Sequence, residues 1–109
     1  MAENMTKDLW EIMVPATWNN GKKVDVAHHH IWDKLIRNIS GGLTILKTAR
    51  GEWVSPQGKV FREKMIPVRI ACTEEQIDKI IEITIAHYVQ EAIMAYRISD
   101  CVKIVNKED

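Results

Sequence analysis

An α+β domain with the order β-α-β-β-α-β is predicted by three observations. Two stretches space their apolar residues as helices do, alternating β-branched stretches lie between and around them, and turn residues sit at the junctions. With right-handed crossovers, that order gives a four-stranded antiparallel sheet with both helices on one face, the ferredoxin-like arrangement.

Each element has its own justification. Residues 1–8 are polar and are expected to be a flexible N-terminus, followed by a single domain over 9–105 and a polar tail at 106–109. Leu9 to Pro15 reads as the first strand, stopped by the proline. Asn20-Gly21 marks a turn, and Asp25 is placed to cap the helix that follows. That helix carries Ile31, Leu35 and Ile39 on one stripe with Trp32 and Ile36 beside it, and Gly41-Gly42 ends it. Leu43 to Thr48 is the second strand and Val60 to Cys72 the third, with Val68, Ile70 and Cys72 on one face. Thr73 to Gln76 forms a capping box for a second helix, which runs to about Gln90 with Ile77, Ile81, Thr84 and Tyr88 inward. Ile93 to Ile98 is the fourth strand, and Cys101 to Val105 a short fifth.

Composition narrows the function. Lysine plus arginine equals aspartate plus glutamate, so the formal net charge is zero, which speaks against nucleic acid and against a membrane surface as partner. The start lacks a signal-peptide core, and no apolar run approaches membrane-spanning length, so a soluble, cytoplasmic protein is expected. Cys72 and Cys101 have no motif spacing and read as buried free thiols. No phosphate loop, dinucleotide fingerprint or CxxC pair is present. Trp10, Met13, Ile45 and Met94 are candidates for the sheet face away from the helices, where so much apolar surface needs cover. An oligomer follows, with a trimer ahead of a dimer.

The stretch Gly51 to Arg69 carries the chemistry. Ser55-Pro56-Gln57-Gly58 suits a tight turn between two strands, with Pro56 setting φ at the second position. Trp53 enters the turn and Glu63 leaves it, so symmetric pairing makes them neighbours across the ladder. An indole face beside a carboxylate suits a compact organic cation. The plainer alternatives are a tryptophan packed on a neighbouring subunit and a glutamate in a solvated charge run, Arg62-Glu63-Lys64. His28-His29-His30 does not make a metal site within one chain, because consecutive helical residues point about 100° apart. They read as solvated or capping histidines, and His87 as a surface or boundary residue.

Gly42, Gly51-Glu52-Trp53, Glu63-Lys64, Val68 to Cys72, Tyr88-Val89-Gln90 and Ala95-Tyr96-Arg97 together resemble, in order and spacing, the phage enzymes that degrade S-adenosylmethionine (SAM), the SAM lyases once called hydrolases. The resemblance spans roughly residues 27–97. It implies a ferredoxin-like fold akin to PII signalling proteins, a homotrimer with ligands between subunits, and no cofactor. It also implies a phage protein that acts in the host cytoplasm and counters SAM-dependent restriction. The implied reaction is intramolecular: the substrate's carboxylate attacks its own γ-carbon, giving methylthioadenosine and homoserine lactone. By the same resemblance Glu63 takes the position of the family's essential acid and Trp53 stands where the family has a tyrosine. Glycine permits close approach, so backbone amides near Gly51 are expected to receive the substrate's polar groups. The alternatives are a non-catalytic PII-like regulator for an adenine ligand and a partner-binding phage protein.

Overall fold

The structure, a computed structural model, describes residues 5–107; residues 1–4 and 108–109, where parts of the expected flexible N-terminus and polar tail fall, lie outside the described residues. In chain order the elements are β1 (Met5–Pro15), α1 (Val26–Ser40), β2 (Thr44–Ile45), β3 (Ala49–Val54), β4 (Val60–Cys72), α2 (Glu74–His87) and β5 (Ala95–Ile104). The sheet runs β2-β4-β1-β5, with β3 paired to the free length of β4, and every pairing is antiparallel. This is the expected ferredoxin-like architecture with five strands rather than four.

The extra strand comes from the segment after α1. Only Thr44–Ile45 pairs there, opposite Arg69 and Val68, and the chain then leaves the sheet to return as β3. Two other boundaries also differ from expectation. β1 starts at Met5, four residues early, because Met5, Thr6 and Lys7 pair with Ile104, Lys103 and Val102 at the far end of β5. β5 is one strand where two were expected, since a pairing irregularity opposite Leu9 is bridged and Cys101 N donates to Ser99 Oγ at 3.2 Å.

Alternation along the central strands decides which face is covered. Ile12 and Val14 on β1 and Val68, Ile70 and Cys72 on β4 point to one face, each no more than 1% exposed, and both helices pack there. Trp10 shares that parity, and Ile45 is paired directly with Val68, so both belong to the helix side rather than the open side. Met13 does lie on the open face, opposite Pro67, and its amide donates to the carbonyl of exposed Met94. Cys101, expected to be buried, is exposed, while burial pushes the Cys72 thiol up to about 11.

The inner stripe of α1 is one residue round from the expected one. Trp32, Ile36 and Ser40 are buried, whereas Ile31 and Leu35 are 55% and 41% exposed. The large indole sets the rotation: Trp32 Nε1 donates to Thr84 Oγ1 at 2.9 Å, and Thr84 Oγ1 donates on to Ile80 O at 2.6 Å. Asp25 holds the N-cap position without a side-chain hydrogen bond, so its carbonyl alone serves the first turn. α2 buries Ile77, Ile80 and Thr84 and stops at His87, earlier than expected.

The capping box forms as the sequence predicts. Thr73 Oγ1 accepts from Gln76 N at 3.1 Å, and Thr73 N donates to Gln76 Oε1 at 2.9 Å. The same glutamine amide reaches Ile39 O at 3.0 Å, tying the start of α2 to the end of α1. Thr73→Ala is expected to lower unfolding stability by about 1 kcal/mol, read as a shifted urea midpoint with unchanged slope. An unshifted midpoint would contradict that role for the cap.

Candidate functional site

Beyond Met65 the sheet narrows to a ribbon. β1 ends at Pro15 opposite Met65, so residues 60–64 of β4 have β3 as their partner strand. This projecting arm is one reason the radius of gyration is 15.7 Å, where a domain of this length packs to about 13 Å. At its tip Gly58 N donates to Ser55 O at 2.9 Å and Gly58 adopts φ +82°, a left-handed conformation that glycine takes without steric cost. Lys59 N donates to Ser55 Oγ at 3.2 Å, which carries the pairing to the end of the arm.

Register places the candidate residues on one face. Trp53 is directly opposite Phe61 and Gly51 opposite Glu63, so all four share a face, and Lys59 continues it. The Trp53 and Phe61 rings stack with centroids 4.4 Å apart and planes 12° from parallel. Lys59 Nζ lies 5.0 Å from the Phe61 centroid. Trp53 Nε1 donates to Glu63 Oε1 at 3.4 Å. The indole is 47% exposed, so its surface is open to a ligand or to another copy. A Cβ at Gly51 would sit 2.7 Å from Met65 Cε, so the flexible end of that methionine would have to shift. The other face of the ribbon is ionic, with Arg62 Nε 3.5 Å and Arg50 Nε 3.9 Å from Glu52 Oε1.

A second polar group lies on the open sheet face. Glu11 is 6% exposed although no layer covers it, because its neighbours Arg69 and Tyr96 on either side lie against it. Arg69 Nε donates to its carboxylate at 3.0 Å, and the Tyr96 hydroxyl donates to the other oxygen. The tyrosine hydrogen bond, and secondarily the guanidinium, hold the Glu11 carboxyl below the ordinary carboxylate value, and the same bond raises Tyr96. A depressed folded pKa means that this contribution to stability is complete above the unfolded value and is lost as pH falls through the folded one. In an acid titration followed by circular dichroism, Glu11→Gln should therefore lack part of the wild-type decline below the ordinary carboxylate range. Superimposable stability profiles would refute it.

His28, His29 and His87 are half-buried and hydrogen-bonded rather than solvated, whereas His30 is exposed as expected. His28 and His87 stack at 3.7 Å, and each Nε2 lies 2.8 Å from the other residue's carbonyl oxygen. His29 Nδ1 is 2.7 Å from the hydroxyl of fully buried Tyr88. These contacts join the start of α1 to the end of α2. Beside them a cavity of about 180 Å³ opens between α1 and β4, floored by Ile66 and Val68 and rimmed by His29, His30 and Asp33. Burial pushes the Asp33 carboxyl up and the His29 imidazole down, so both are biased toward neutral forms. Trp53, Gly51 and Glu63 are not part of this cavity.

No protein-family model and no curated protein matches the sequence. Solved structures do match. A phage SAM lyase in complex with S-methyl-5'-thioadenosine aligns with a TM-score of 0.65 at 13% identity, over 92% of this chain and 90% of that one. A phage SAM lyase in the apo state gives 0.60 at 12% identity, over 95% and 93%. The periplasmic divalent cation tolerance protein CutA from Archaeoglobus fulgidus gives 0.61 at 10% identity, over 86% and 82%. What they share with this chain is the ferredoxin-like fold.

On that ferredoxin-like frame the structure brings Trp53, Glu63 and Gly51 together and adds groups the sequence reading passed over. Phe61 and Lys59 were legible only through the register of the turn. Glu11 had a signal, a lone charge inside the apolar run LWEIM. Among the described residues no cluster of three or more histidine, cysteine or acidic side chains is arranged to hold a metal ion. No helix among the described residues is long and apolar enough to cross a membrane.

Proposed function

We propose that the protein is a SAM lyase that cleaves its substrate intramolecularly to methylthioadenosine and homoserine lactone, working as a homotrimer with sites between subunits. The observation that carries this reading is the Trp53–Glu63 pair, an exposed indole hydrogen-bonded to a carboxylate on a projecting ribbon. The fold it shares with phage SAM lyases supports it. In the host cytoplasm such an activity removes the methyl donor on which restriction systems depend.

The chemistry asks little of the protein beyond placement. One carboxylate oxygen of SAM attacks the γ-carbon, the C–S bond breaks with its electron pair going to sulfur, and a neutral thioether leaves. No protein nucleophile, metal or proton transfer is required. Holding a flexible zwitterion in the reactive fold supplies about 7–11 kcal/mol of the barrier in well-oriented intramolecular reactions. The sulfonium charge vanishes during the step, so a carboxylate against it would favour the ground state. Glu63 therefore orients the substrate's ammonium or ribose hydroxyls, and Trp53 contacts the adenine or the sulfonium methyl. Gly51 contributes backbone polar groups beside them.

The ribbon also supports self-association. A two-stranded arm is marginal alone in water, and this one exposes Trp53 on one face with Val54 and Val60, at 63% and 47%, on the other. A neighbouring copy that covers part of the arm and the open sheet face would stabilise both. The deciding experiment incubates the pure protein with SAM and follows methylthioadenosine by chromatography. Product together with lactone supports the lyase, and homoserine from the first time points indicates hydrolysis instead. Binding without product supports a non-catalytic PII-like regulator for an adenine ligand. Neither binding nor product leaves a partner-binding protein.

A further inference from the structure

The ribbon face that holds Trp53 and Glu63 also carries a cation whose position the proposed reaction leaves unused. Lys59 and Glu63 lie four residues apart on one arm, about 13 Å along an extended strand. Both side chains lean toward the same aromatic pair. Lys59 Nζ approaches the Phe61 ring at 5.0 Å, and Glu63 meets the edge of Trp53, which stacks on Phe61 at 4.4 Å. The result is an aromatic platform with an ammonium at one end and a carboxylate at the other. Lys59 is exposed and makes no ion pair among the described residues, whereas Arg50, Arg62 and Arg69 are all engaged with glutamates.

We infer that Lys59 is a specificity-determining residue that binds the carboxylate of a zwitterionic sulfonium substrate lying on the Trp53–Phe61 platform. This rests on the lyase reading above and adds to it the group that selects for the amino-acid end of the substrate. The platform receives the sulfonium region, Glu63 takes the ribose hydroxyls, and Lys59 at the other end holds one carboxylate oxygen. The second oxygen stays free to attack the γ-carbon. As the new C–O bond forms, the negative charge that Lys59 binds is consumed. The interaction is thus stronger in the ground state than in the transition state and sets KM rather than kcat.

The test compares Lys59→Met and Lys59→Arg with the wild type, using SAM as substrate and its carboxylate-free analogue as a competitive inhibitor. For Lys59→Met, KM for SAM should rise roughly tenfold with kcat held or raised, and the inhibition constant of the analogue should not move. Lys59→Arg should restore most of the KM. An unchanged KM in Lys59→Met, or an equal loss for SAM and for the analogue, overturns the assignment and leaves the lyase reading standing. A wild-type protein that neither binds nor cleaves SAM overturns both. Circular dichroism and thermal melts of each variant exclude misfolding as the source of either result.

Discussion

Exchanging Glu63 for glutamine is expected to lower kcat/KM for SAM cleavage roughly 10- to 100-fold, the effect of losing one charge-assisted hydrogen bond worth about 1.5–3 kcal/mol. The substitution isolates charge from shape. Glutamine keeps an oxygen where Glu63 Oε1 accepts from Trp53 Nε1, so the ribbon face retains its packing. Glu63 is exposed and opposite a glycine, which leaves the fold indifferent to the change. The measurement is steady-state formation of methylthioadenosine by both proteins, with matched thermal melts. Turnover at the wild-type rate would remove Glu63 from the mechanism.

Trp32→Ala is expected to have the largest effect on stability, about 3–5 kcal/mol by urea unfolding. The indole is 1% exposed and joins the two helices through its hydrogen bond to Thr84. A domain with about 5–15 kcal/mol in total keeps little margin after that loss. Trp32→Phe separates the two contributions. It keeps most of the ring volume and removes the donor, while Thr84 still donates to Ile80 O, so a loss of about 1 kcal/mol is expected from the hydrogen bond. A phenylalanine variant as unstable as the alanine one would place the effect in the hydrogen bond rather than in packing.

What could be read in advance follows the range over which each feature is decided. The turn at Ser55–Gly58 and the capping box at Thr73 are settled within a few residues, and both form as written in the chain. The closeness of Trp53 and Glu63 follows from that turn, because the turn fixes the register of the arm. The rotation of α1 depends instead on a contact 52 residues away, between Trp32 and Thr84. Ile31-Leu35-Ile39 and Trp32-Ile36-Ser40 are adjacent stripes about 100° apart, so spacing alone does not choose between them. The sides taken by Trp10 and Ile45 are set by pairing with β4, which turns a choice of partner into a choice of face. The role of Glu11 is not legible locally, because its ion-pair partner Arg69 and its hydrogen-bond donor Tyr96 come from β4 and β5, 58 and 85 residues along the chain.

The irregular pairing of β5 with β1 has a consequence for unwanted association. β5 is the last strand of the sheet, so among the described residues a row of its backbone groups has no strand to pair with on the outer side. Ten residues of straight edge bearing Tyr96, Ile98 and Ile104 would template the addition of foreign strands. The shifts at Leu9, where the ladder passes from Val102 to Ser99 and then to Arg97, break that edge into two misaligned pieces. A foreign strand added along that edge would keep register over only part of its length, which weakens edge-to-edge addition.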